Sequence, residues 1–135
     1  MNSVAYDLAM YLESEGVGAF GEDLFTVTEP EGSDDWKFYI LLHESPFGGV
    51  LDRVLLGTIS METQFLVVNC LSSTETDGRE AMTRIQNKLE ALKNWDIENG
   101  TRYMKVIAVA PIRLLGCDRA RRYNHEQTFR VQRQE

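Results

Sequence analysis

Two runs of alternating residues near the end of the chain restrict its fold more than anything else in the 135 residues. In Tyr103–Ala110, Met104, Val106, Ala108 and Ala110 fall on one side, and Tyr103, Lys105, Ile107 and Val109 on the other. In Tyr123–Val131, Tyr123, His125, Gln127, Phe129 and Val131 alternate with Asn124, Glu126, Thr128 and Arg130. A period of two is the repeat of an extended strand, whose successive side chains point to opposite faces. Pro111 and Gly116 interrupt the pattern and bound a connection between the runs. The stretch therefore predicts a long β-hairpin whose bend holds Arg113, Arg119, Arg121 and Arg122.

Upstream, helical and extended patterns alternate. Asn2 or Ser3 can cap a first helix with Asp7 near its positive end, and Val4, Leu8, Tyr11 and Leu12 form one apolar stripe. Gly16 supplies a left-handed stop. Gly21–Asp23 reads as a turn, Leu24–Thr28 as a short strand, and EPEGSDD as an acidic loop. WKFYILLHES carries apolar residues on both sides, which predicts a strand covered on both faces. SPFGGVLD follows as a loop. Val54–Ile59 and Glu62–Leu71 look extended, with breaks at Gly57 and Ser60–Met61. Ser72–Gly78 reads as a polar linker ending in the capping residues Thr76 and Asp77. Ala81, Met82, Ile85, Leu89 and Leu92 then mark a second helix, closed by Asn94 and a turn at Glu98–Gly100. No internal repeat shows in the sequence. The expected fold is a single α+β domain, residues 1–135: a mainly antiparallel sheet with two helices packed on one face.

The chain carries a formal charge of −7, unevenly placed. Residues 1–100 hold six Lys/Arg against eighteen Asp/Glu, whereas residues 101–135 hold eight against three. An uneven solvated surface is one reading. A second is a molecule with one acidic and one basic flank, suited to joining copies head to tail. Nucleic acid is a third, with no groove-reading motif beside the arginines. The longest apolar stretches fall well short of the ~20 residues that span a bilayer. Met1–Tyr11 lacks a basic n-region, so no signal peptide is expected. Cys70 and Cys117 are then expected as free thiols in a reducing cytosol.

The sequence carries few marks of catalytic chemistry. His43 and His125 each sit in a strand pattern without neighbours at metal-ligand spacing. No H-E-x-x-H, C-x-x-C, Walker or dinucleotide glycine loop occurs. Glu29, Glu31, Asp34 and Asp35 lack the glycine-centred loop of a dedicated calcium site. No catalytic residue, metal or cofactor is therefore expected. The arginine bend is different: Leu114 and Leu115 beside Arg113, Asp118, Arg119, Arg121 and Arg122 make a mixed apolar and cationic tip. That composition suits a protein contact; alternatively the leucines tuck under the sheet while the arginines keep its edge soluble.

The segment PIRLLGCDRARRYNHEQTFRV resembles the end of the tail-terminator (tail-completion, or minor capsid) proteins of long-tailed bacteriophages. In these a proline, a leucine-glycine bend, an acidic residue and an arginine precede the last strand. The likeness continues through YDLAMYLESEGVGAFGEDLF, EPEGSDDWKFYILL, TQFLVVNCLSS and EAMTRIQNKLEAL, so it spans nearly the whole chain. Where such proteins commonly have a second acidic residue beside Asp118, this chain has Arg119. The resemblance implies a six-membered ring on the head-proximal end of the tail tube, in the virion after assembly in host cytoplasm. Such a ring ends tube polymerisation and offers a surface for head joining. Its implied partners are itself, the tail-tube protein and a head-completion or neck protein, with no membrane and no specific nucleic acid, although DNA passes through the ring. The expected contact residues are Arg113, Leu114, Leu115, Asp118, Arg119, Arg121 and Arg122, with Phe47 in the SPFGGV loop. Charge reversal at Arg121 and Arg122 is expected to weaken the ring more than the fold. The alternatives are a neck connector or, from other classes, a small enzyme or a binding module.

Overall fold

The computed structural model describes residues 3–26, 30, 32, 35–44, 52–56, 59–97, 100–118 and 120–134. Helix α1, Val4–Ser14, starts where Ser3 Oγ accepts the Tyr6 amide at 3.1 Å and stops at Gly16, whose φ of 77° only glycine adopts freely. Strands β1 (Leu24–Thr26), β2 (Phe38–Glu44), β3 (Asp52–Leu56) and β4 (Ile59–Ser72) follow. Helix α2, Glu75–Ala91, leads into β5 (Lys93–Asp96), β6 (Arg102–Ala108), β7 (Arg113–Cys117) and β8 (Tyr123–Gln134). Together the strands form one sheet in the order β1-β2-β4-β8-β6-β5, antiparallel except where β1 lies parallel to β2. Both helices pack on the same face, over Ile40, Leu42, Leu66, Val68, Cys70, Val106, Phe129 and Val131. This is the expected α+β architecture.

Several local expectations are corrected. Strand β4 runs unbroken through Ser60 and Met61, because both pair across to β3. The polar stretch before α2 is partly its first turn: Thr74 is the cap, its Oγ1 accepting the Asp77 amide at 3.2 Å, and Gly78 lies inside the helix. Asn94 does not end that helix but sits in β5, at φ 50°. The alternation in Tyr103–Ala110 fails at Met104. The register slips there, from Tyr103 opposite Arg133 to Lys105 opposite Gln132, so Tyr103 and Val106 both enter the core. One extra residue in a strand exchanges its faces beyond the bulge. The bend of the predicted hairpin is itself mostly strand: β6 and β7 lie end to end along β8, and the true turn is Asp118–Arg122. Gly57, SPFGGV and most of EPEGSDD lie outside the described residues.

A repeat absent from the sequence is present in the architecture. Strand β3 continues β2 along one edge of β4, as β7 continues β6 along the far edge of β8. The series α1-β1-β2-β3-β4 and α2-β5-β6-β7-β8 are thus related by an approximate two-fold axis through the antiparallel β4·β8 pair. Leu66 opposite Phe129 lies on that axis, flanked by Gln64 opposite Val131 and Val68 opposite Gln127. All six face the helices and are buried, at about 1.5–3 kcal/mol for each large apolar side chain. The halves differ at their outer strands, since β5 runs antiparallel to β6.

Candidate assembly surface

The β7–β8 connection is built around one carboxylate. Asp118 Oδ1 accepts the amides of Ala120 (3.0 Å) and Arg122 (2.9 Å), and its Oδ2 accepts Arg122 Nη2 at 2.7 Å and Nε at 3.0 Å. The backbone closes in parallel, with Asp118 N donating to Arg122 O at 2.9 Å. The Arg122 guanidinium holds the Asp118 carboxyl below the usual carboxylate range. Arg122 is itself buried. Its Nη1 donates to the Trp36 carbonyl at 3.2 Å and its guanidinium lies 5.3 Å from the centre of the Tyr39 ring, which packs edge-on against Trp36 and Phe25.

The expected contact residues therefore fall into groups. Asp118 and Arg122 hold the turn closed. Arg121 is exposed at the apex, in a left-handed conformation (φ 60°) that the turn imposes. On β7, Leu114 and Leu115 are 42% and 47% exposed, so they do not tuck under the sheet. Arg113 points outward and pairs with Glu126 at 2.8 Å. Arg119 and Phe47 lie outside the described residues. The structure so divides the expectation about charge reversal: Arg121 is presented to solvent, while Arg122 is spent on the fold.

Sequence reasoning missed a buried polar chain across the helix-side face of the sheet. Arg133 Nε donates to Glu62 Oε2 at 3.2 Å, Arg133 Nη1 to the Tyr103 hydroxyl at 3.2 Å, and that hydroxyl to Asp7 Oδ2 at 2.5 Å. Gln64 Nε2 also donates to Glu62, at 3.1 Å. Burial, and then the hydrogen bond to Asp7, push the Tyr103 hydroxyl well above the ordinary tyrosine range. The available signal was the alternation of β8, which places Arg133 in phase with Phe129 and Val131.

Two features bear on an enzymatic role. A groove of about 520 Å³ runs along the first turns of α2, with Lys37, Ser72, Asp77, Glu80 and Arg84 among its walls. His125 lies nearby, but it is fully enclosed, and a Cβ on Gly78 would stand 2.6 Å from its Nδ1. Burial, reinforced by the charge of Arg79, lowers its pKa. An enclosed ring cannot meet a substrate. Across the opposite face, His43 Nε2 lies 2.9 Å from Asn69 Oδ1. Among the described residues no group of three His, Cys, Asp or Glu is placed to hold a metal, and both cysteines are free thiols. No described helix is long and apolar enough to cross a membrane.

No protein-family model and no curated protein matches the chain. Among solved structures, the fold is similar to a chain from the virion of a native gene transfer agent (GTA) particle. The TM-score is 0.62 at 12% identity, covering 99% of this chain and 87% of that one. At that identity the likeness shows a shared fold.

Proposed function

We propose that this protein is a structural component of a phage-type virion that forms a ring, six-membered by resemblance, at the head-proximal end of the tail tube. There it ends tube growth and provides the surface for head joining. The observation that carries the reading is the end-to-end likeness to a chain of a gene-transfer-agent virion, which agrees with the tail-terminator resemblance of the sequence. The exposed Leu114, Leu115, Arg113 and Arg121 are consistent with a protein contact, because apolar residues beside arginine are favoured there. Its partners in this role are further copies of itself, the tail-tube protein and a head-completion protein, and its place is the tail or neck of the virion. The role is one of assembly, with no bond made or broken.

Mixing the purified protein with polymerising tail-tube subunits tests this. Capped tubes that stop elongating are the expected result. If tube length is unchanged and the protein binds head connectors alone, the neck-connector reading replaces this one.

A further inference from the structure

We infer that the face of β5, β6 and β8 turned away from the helices is a docking surface for the acidic helix layer of a second copy of this chain. The inference rests on the ring reading and assigns that ring its two contacting faces. Lys93 stands directly opposite Lys105 in the β5–β6 pair, and Arg130 stands between Phe65 and Ile107 on the neighbouring strands. All three cations are exposed, and none has an ion-pair partner among the described residues. The acids on the same face are already engaged, Asp96 by Arg102 at 2.6 Å and Glu126 by Arg113 at 2.8 Å.

Like charges directly opposite in a sheet destabilise it. Lysine on an edge strand guards against unwanted pairing, which accounts for Lys93 on β5. It does not account for Arg130, since β8 has strands on both sides. The partly exposed Phe65 and Ile107 beside Arg130 give the strip an aromatic and aliphatic centre, the composition of a protein contact. A nucleic-acid duplex fits less well, because it would also meet the repulsion of a chain carrying −7.

The complementary surface lies on the other side of the same molecule. Outside the core, α1, its cap Glu15 and α2 present Glu13, Glu15, Glu75, Asp77, Glu80 and Glu90 against Arg79, Arg84 and Lys88, of which Glu75 pairs with Arg79 and Glu15 with Lys88. The helix layer thus carries an excess of exposed acids, six against three, on the side of the molecule opposite Lys93, Lys105 and Arg130. Stacking the sheet face of one copy on the helix layer of the next joins unlike surfaces, and repetition of such a contact about an axis closes a ring.

The test uses two variants of the full chain: Lys105→Glu with Arg130→Glu, and Asp77→Lys with Glu80→Lys. Thermal melts establish that each folds; Lys105→Glu removes the Lys93–Lys105 repulsion and is expected not to lower the melting point. Native mass spectrometry and light scattering, with and without tail tubes as seeds, then read assembly. Each variant alone should lose at least about tenfold in association, from like charges brought face to face. An equimolar mixture should recover rings of alternating copies, since each variant then meets opposite charge on both sides. If both variants assemble as the parent does, or the folded pair fails to recover on mixing, the docking surface is refuted while the ring reading survives. A sheet variant that still forms rings but loses a duplex-DNA gel shift shown by the parent assigns the face to nucleic acid instead. A parent that forms no ring even on tubes refutes the ring reading itself.

Discussion

The two ends of the β4·β8 pair occupy equivalent places about the approximate two-fold axis, yet they treat buried polarity in opposite ways. At one end Glu62 faces Arg133, and Tyr103 and Asp7 extend the pair into a hydrogen-bonded chain linking α1, β4, β6 and β8. At the other end Cys70 faces His125, and neither ring nitrogen of His125 has a hydrogen-bond partner among the described residues. What closes over the histidine is a glycine, Gly78, which lets α2 approach the sheet. The first end is held by charge satisfied within the protein. The second is held by shape, at the cost of an unsatisfied ring. Burial alone therefore does not rank polar groups; their partners do.

The largest effect should come from breaking the satisfied end. Arg133→Met removes the guanidinium from the buried Glu62 carboxylate and a donor from the Tyr103 hydroxyl that binds Asp7, and is expected to destabilise the fold by about 3–5 kcal/mol, read from urea unfolding. At the shape-held end, Gly78→Ala places a methyl group where the His125 ring stands. A loss of about 1–3 kcal/mol is expected, partly offset by better helix propensity. Adding His125→Ala should relieve the clash, and additive losses in the double variant would show that the two residues do not touch.

The ends should also respond oppositely to pH. His125 titrates below its usual 6.5 in the fold, so the unfolded chain takes up the proton first; stability is full above that pH and falls as pH drops below it. Tyr103 titrates above its usual 10.0, so the unfolded chain loses its proton first and stability falls as pH rises past that value. His125→Gln should flatten the acid limb of a stability–pH curve and Tyr103→Phe the alkaline limb. Exchange of those outcomes would overturn the comparison. The smallest effect is expected at Arg113→Ala, whose pairing with Glu126 is solvent-exposed and worth about 0–1 kcal/mol to stability, a change of at most a few degrees in melting point.

Much of this fold was legible from local pattern. The stripes of α1 and α2, the left-handed stop at Gly16 and the alternation of β8 follow from how side chains distribute around a helix or across a strand. What was not legible depended on pairing partners. The stretch Lys93–Asp96 is too short and polar to announce a strand, and becomes one because β6 offers its edge. The bulge at Met104 leaves no mark in the hydrophobic pattern except a false one. Of the expected contact residues, the exposed leucines and Arg121 are presented to solvent. Arg122 is not, because Trp36 and Tyr39, more than eighty residues away, enclose it; no spacing along the chain foretells such an enclosure.

By itself the sequence determined the class of architecture, the boundaries of its strongest elements and a basic C-terminal end on an acidic chain. Those are properties of neighbours along the backbone, set by the periods of 2 and 3.6 and by the residues that cap or break them. Tertiary structure alone decided that Lys93, Lys105 and Arg130 share one face of the sheet, that one arginine of the bend serves the turn while another faces solvent, and that two halves without a shared sequence pattern adopt related topologies. Each of those depends on contacts between segments far apart in the chain, which only packing brings together.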